Sequence, residues 1–173
     1  FSTVKSNVEH SSMEYGRRGG IVGLESDHLG MVPSKPVIDL KFIDTMSVLW
    51  VNNEIGTVQD MKSLASWATN SADKLFHTDA TQAVGHISVD VRETGVDLLS
   101  MSAHKFGGPK GIGALFVRRG VDILPMLHGG HQEAGKRAGT ENVIGIAGMG
   151  AAIEWATNNL DKSVPYLLSL IHI

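Results

Sequence analysis

The 173-residue sequence contains no cysteine, which excludes disulfides and thiolate metal centres within it. Neither sign of charge dominates: 15 basic against 18 acidic residues give a net charge of −3. That leaves no electrostatic footprint for nucleic acid or for an anionic membrane surface. No stretch reaches about 18 consecutive apolar residues, the length that spans a bilayer. The opening Phe1-Ser-Thr-Val-Lys-Ser-Asn lacks the basic start and apolar centre of a signal peptide. These absences predict a soluble body in a reducing compartment, cytoplasmic or, in a eukaryote, organellar, with neither nucleic acid nor membrane as a partner. What is present is ordinary globular material, 42% hydrophobic and 19% charged, enough for one domain with a sizeable core. Glycine is the exception. It accounts for 20 of 173 residues, above a usual share of about 7%, and is concentrated between Gly107 and Gly150. Such clustering predicts tight turns and close approach of backbone to a ligand.

Four apolar runs read as strands: Val48 to Val51, Lys74 to Thr78, Asp97 to Met101 and Ala114 to Val117. Between the first two, Met61, Leu64, Ala65, Trp67 and Ala68 recur at helical spacing from Asp60 to Asn70, giving a β-α-β unit of the parallel-sheet kind. The class is α/β. Downstream, Thr140 reads as a helix cap, with Ile146, Met149, Gly150 and Ile153 on one face of a helix reaching about Asn159. The glycines Gly145, Gly148 and Gly150 predict close packing of that helix. The start shows no obvious opening element and the end, Leu167 to Ile173, no terminating signal, so both ends read as cut.

Polar residues cluster at or just past the strand ends: Asn52, Asn53 and Glu54 after the first run, Asp79 and Gln82 after the second, Ser102, His104 and Lys105 after the third. In a parallel sheet those carboxyl ends line one crevice, where open α/β folds bind ligands. Lys105 is either an ordinary surface lysine or, in a partly dry strand-end site, an amine of depressed pKa able to condense with an aldehyde. A carboxylate such as Asp79 beside a pyridine nitrogen would keep that nitrogen protonated and make the ring an electron sink. Nucleotide motifs fail on spacing. Gly108 and Gly113 have the interval of a P-loop but are followed by Ala114 and Leu115, and Gly111-Ile-Gly113 lacks the third glycine of a dinucleotide fingerprint. The histidines, including His77 and the His128–His131 pair, have no third partner at a ligand spacing, so no metal site is expected.

Five segments in order, "VEH", "VNNEIGTVQD", "HTDATQAVG", "SAHKFGGPKGIGALFVRRG" and "LHGGHQEAGKRAGTEN", together resemble the bacterial-type cysteine desulfurases. These are pyridoxal-phosphate enzymes of the class-V aminotransferase family. The resemblance implies a mixed, mostly parallel sheet flanked by helices, part of the large domain of the pyridoxal-phosphate aminotransferase fold. Residues 1–160 would be the central part of that domain, and 161–173 the start of a connection to a small C-terminal domain. It implies that Lys105 holds the cofactor and later shuttles the proton at the substrate Cα, and that His10 stacks on the pyridine face and helps proton transfer. Asp79 would pair with the ring nitrogen, Gln82 with the phenolic oxygen, and Asn53 would lie near that oxygen and the substrate carboxylate. Ser102 and His104 would bind phosphate. Thr140 would reach the phosphate of the neighbouring subunit, making the site complete only in a homodimer.

The implied reaction takes sulfur from L-cysteine, releases L-alanine and leaves a persulfide for sulfur-acceptor or scaffold proteins serving iron-sulfur clusters or thiolated tRNA. This stretch departs from the family pattern in lacking the catalytic cysteine, the arginine that grips the substrate carboxylate and the small domain, so the piece alone is expected to be inactive. Three alternatives stay open: a selenocysteine lyase of the same family, a non-catalytic scaffold keeping the fold for dimerisation or docking, and another lysine-dependent pyridoxal enzyme such as an aminotransferase. "GTEN" and "HKFGGPKGIG" argue against the last.

Overall fold

The structure is a computed structural model and describes residues 2–6, 21–26, 44–70 and 74–172. Among these residues six strands form one sheet whose spatial order follows the chain: β1 (Ser2–Ser6), β2 (Ile21–Ser26), β3 (Thr45–Leu49), β4 (Leu75–Asp79), β5 (Leu98–Ser102) and β6 (Gly113–Val117). β2 to β5 run parallel, while β1 pairs antiparallel with β2 and β6 antiparallel with β5. This is the mixed, mostly parallel sheet that the sequence predicts. Helix α1 (Met61–Thr69) links β3 to β4, and the short α2 (Val91–Thr94) precedes β5. α3 (Val143–Asn158) and α4 (Leu160–Ser169) close the described chain.

α1 forms because its apolar residues fall on one stripe and its start is capped. Met61, Ala65 and Ala68 are buried, and the Asp60 carboxylate accepts the Ser63 backbone N–H at 3.2 Å. The Ser63 hydroxyl, which also donates to this carboxylate, and then the Ser63 N–H hold the Asp60 carboxyl below its ordinary pKa. Strands β3 and β4 alternate strictly. Met46 and Val48, then Phe76 and Thr78, face the core; Ser47, then His77 and Asp79, lie on the other, half-buried face. Thr78 is a polar residue with no exposure, and its hydroxyl is satisfied by donating to the Val48 carbonyl at 2.9 Å. At the other end of the sheet the Asp97 carboxylate accepts the Phe76 N–H at 2.9 Å and stands 3.4 Å from Arg118, whose guanidinium also donates to the Val96 carbonyl.

Several predicted boundaries move. The first strand is Thr45–Leu49 and not Val48 to Val51. Its second face is only half-buried, so Thr45 and Ser47 belong to an alternating strand, while Val51 pairs in an isolated bridge with Val58 beyond it. The opening that showed no element contains β1 and β2. The cap of α3 is Asn142, whose side-chain oxygen accepts the Gly145 N–H at 3.0 Å; the helix begins two residues too late for Thr140 to serve. Its buried stripe is Gly145, Met149 and Ala156, while Ile146 is exposed. Of its glycines, Gly145 and Gly148 are closely packed, since a Cβ would meet the capping Asn142 side chain at 2.6 Å and the Pro109 ring at 2.7 Å, whereas one on Gly150 would meet nothing within 4 Å. Leu167, Leu168 and Ile171 in the final apolar stretch are exposed.

Candidate functional site

Register puts the polar strand ends side by side. Leu49 of β3 pairs with Asp79 of β4, and Asp79 with Ser100 of β5. Main-chain bonds continue the alignment past the strands, with Trp50 N donating to Asp79 O and Ala80 N to Ser100 O, both at 2.9 Å. The segments after three neighbouring parallel strands therefore leave the sheet along one edge: Asn52-Asn53, Ala80 to Gln82, and Ala103 to Lys105.

The first segment is an Asx turn, in which the Asn52 side-chain oxygen accepts the N–H groups of Glu54 and Ile55 at 2.8 and 3.0 Å. Asn53 stands exposed at its tip. In the second, one oxygen of the half-buried Asp79 accepts the Thr81 N–H at 2.8 Å, fixing the carboxylate at the strand end, and Gln82 follows half-buried in the same turn. In the third, β5 passes directly into a 3-10 turn, Ala103–Phe106. With three residues per turn, positions 103 and 106 share a face, and both Ala103 and Phe106 are buried. His104 and Lys105 must then face outward. The Ser102 hydroxyl and His104 Nδ1 lie 2.8 Å apart, which couples a hydroxyl and an imidazole on one rim.

The turn ends at Gly107, whose φ of +86° suits glycine, and Gly108 donates to the Ala103 carbonyl at 2.8 Å. A Cβ on Gly108 would stand 2.9 Å from the Ala103 Cβ and 3.0 Å from the Ala103 oxygen, so that position admits no side chain without a backbone shift. α3 packs on the same turn and fixes its underside.

Of the two surroundings open to Lys105, exposed or partly dry, the structure has the exposed one, because the geometry that buries Ala103 and Phe106 turns it away from the core. Thr140 is also exposed, ahead of α3. His10 lies outside the described residues. Asp79, Gln82, Ser102, His104, Lys105 and Asn53 thus share one edge, and Thr140 lies in a later segment. Sequence reasoning missed the pair formed by Ser47 and His77, whose Oγ and Nδ1 are 2.7 Å apart across β3 and β4. The available signal was the alternation of small polar and apolar residues in both strands.

As a donor set, the edge offers an amine, a carboxylate with one oxygen committed to backbone, an amide, and a hydroxyl beside an imidazole, next to a turn too tight for a Cβ. Those groups fit a phosphorylated aromatic aldehyde: amine to aldehyde, carboxylate to ring nitrogen, hydroxyl and imidazole to phosphate.

Known proteins are similar to the chain in sequence and in structure. The chain is 57% identical over 125 residues to the cysteine desulfurase IscS of Dictyoglomus turgidum, covering 72% of this chain and 32% of that protein. It is 43% identical over 175 residues to the cysteine desulfurase IscS of Methanosarcina thermophila, covering 96% of this chain and 43% of that one. The chain therefore spans about a third to under half the length of these relatives. Among solved structures, a NifS-like protein superposes with a TM-score of 0.68 at 40% identity, over 73% of this chain and 34% of its own. A NifS-like protein from Rickettsia africae superposes at 0.64 and 37% identity, over 67% of this chain and 32% of its own. Class-V aminotransferases and cysteine desulfurases are pyridoxal-phosphate enzymes. Residues 26–164 match the family described as aminotransferase class-V, and with that match spanning most of the chain, the chain belongs to the class-V aminotransferase family.

Proposed function

We propose that the complete protein is a cysteine desulfurase, a pyridoxal-phosphate-dependent sulfurtransferase that takes sulfur from L-cysteine and releases L-alanine. The observation that carries this reading is the placement of Lys105 on the turn after β5, one strand over from Asp79 at the end of β4. Bound at this edge, pyridoxal phosphate supplies an electron sink for the charge left at the substrate Cα. Lys105 would hold the cofactor aldehyde through its amine and would carry the proton at the substrate Cα. Asp79 holds the proton on the ring nitrogen. Gln82 donates its amide N–H toward the phenolic oxygen, and Asn53 faces that oxygen and the substrate carboxylate. Ser102 and His104 would bind the phosphate, His10, outside the described residues, would cover the ring face, and Thr140 would serve the phosphate of a second copy in a homodimer.

Sulfur leaves cysteine as its C–S bond breaks and an S–S bond forms to an acceptor thiolate; the departing carbon takes a proton, giving alanine and a persulfide. These 173 residues contain no cysteine, so that thiol lies elsewhere in the complete protein. The persulfide then passes to acceptor or scaffold proteins for iron-sulfur cluster assembly or tRNA thiolation. In this reading residues 1–160 are the central part of the large cofactor domain and 161–173 begin its connection to a smaller one. The chain covers about a third to under half of these relatives, which leaves length for the rest of the large domain and a smaller one.

The test is reduction with borohydride of the protein expressed from its complete gene, in the presence of pyridoxal phosphate. A covalent adduct is expected on Lys105, none in Lys105→Ala, and no alanine from cysteine by the 173-residue piece alone. An adduct that persists in Lys105→Ala overturns the reading.

A further inference from the structure

The candidate site uses Asp79 and leaves its strand neighbour His77 without a task. Both lie on the half-buried face of β4, opposite the face that carries Phe76 and Thr78. His77 Nδ1 is 2.7 Å from the hydroxyl of Ser47, its register partner on β3, and its register partner on β5 is Leu98. Both positions directly across from the ring are therefore uncharged. The charge that acts on it is Asp79, two residues along the same face. Asp79 in turn has one oxygen committed to the Thr81 N–H.

We propose that Ser47 and His77 are positioning residues for Asp79: Ser47 fixes the imidazole in place as an uncharged neighbour, so that no second cation shares the Asp79 carboxylate with the cofactor ring nitrogen. An imidazolium at this place would keep the carboxylate ionised but offset its field, so that Asp79 would hold a proton on the ring nitrogen less firmly. Half-burial works in the required direction. It holds the His77 pKa below its ordinary value against the pull of Asp79. The Ser47 hydroxyl at Nδ1 fixes the orientation of the ring, whichever of the two groups donates. The inference rests on the cofactor reading of the preceding section.

The test uses the protein from its complete gene and reads pyridoxal-phosphate affinity by equilibrium dialysis together with the wavelength of the visible absorption band. His77→Asn keeps a neutral polar group opposite Ser47, and its affinity and band should stay near those of the unsubstituted protein. His77→Lys places a fixed cation beside Asp79; it should weaken affinity by about tenfold or more and move the band. His77→Arg places a second kind of fixed cation at the same position and should act in the same direction, which decides the matter if His77→Lys does not fold. The proposal is overturned if His77→Asn loses as much as His77→Lys, or if folded His77→Lys or His77→Arg binds and absorbs like the unsubstituted protein. Absence of a borohydride-trapped adduct on Lys105 in the unsubstituted protein would overturn the cofactor reading itself, and this inference with it.

Discussion

The two faces of β4 do different work with alternate residues of one five-residue strand. Phe76 and Thr78, on the core face, have no exposure at all; His77 and Asp79, on the other, are half-buried and polar. Across the register the contrast repeats, with Val48 and Leu99 beside Thr78 and with Ser47 beside His77. A period of two lets a single strand anchor the sheet with one set of side chains and present chemistry at its end with the other. Stability and function should therefore separate between residues only a few positions apart.

The sharpest way to break that comparison is to substitute one residue from each face. Phe76→Ala should cost about 3–5 kcal/mol, because a fully buried phenyl leaves a cavity that a close-packed sheet cannot fill. Asp79→Asn keeps an oxygen for the Thr81 N–H and should leave the unfolding midpoint nearly unchanged while removing the partner of the ring nitrogen. Denaturant unfolding and cofactor affinity, measured on both variants, check the separation; equal losses of stability would refute it. A smaller effect is expected where the two regimes meet. Gly108→Ala forces a Cβ against the Ala103 Cβ and carbonyl, neither of which is a flexible side-chain end. The turn carrying Lys105 has to open, at about 1–3 kcal/mol. Thermal unfolding should show that loss and dialysis a weakened cofactor, whereas Gly150→Ala, with open space around it, should show neither.

Much of this was legible in the sequence because the signals were local. β4, β5, β6 and α1 fall within a residue or so of the predicted runs, since each is bounded by a polar cap, a turn glycine or a change of period. The site edge followed from one topological rule, that parallel strands deliver their carboxyl ends to the same side. β3 slipped by three residues at its start because an apolar run was taken for the strand, when burial on one face only makes the strand an alternation that includes Thr45 and Ser47. The cap of α3 passed from Thr140 to Asn142 for a similar reason: both residue types accept N–H bonds, and only the path of the chain decides which one does. The exposure of Lys105 could not be read from its neighbours. It depends on the 3-10 geometry that turns Ala103 and Phe106 inward, a choice made by the core beneath them. Likewise, the Ser47–His77 contact joins residues thirty positions apart and exists only once the strands are in register.

The smallest expected effect tests the polar face alone. Burial, opposed by Asp79, lowers the His77 pKa from its ordinary 6.5. Below that value the unfolded chain takes up a proton more readily than the folded one, so the contribution of His77 to stability is present above pH 6.5 and is lost as pH falls toward its folded pKa. Every other titrating group is shared with His77→Asn and cancels in the difference between the two proteins, apart from changes in how those groups feel position 77. That difference should shrink as the pH is lowered from 7 to about 5, by well under 1 kcal/mol because the ring remains partly solvated. Unfolding curves at several pH values measure it. A difference that stayed constant would mean that the folded ring protonates as readily as a free one, and that the half-buried face of β4 does not hold His77 uncharged.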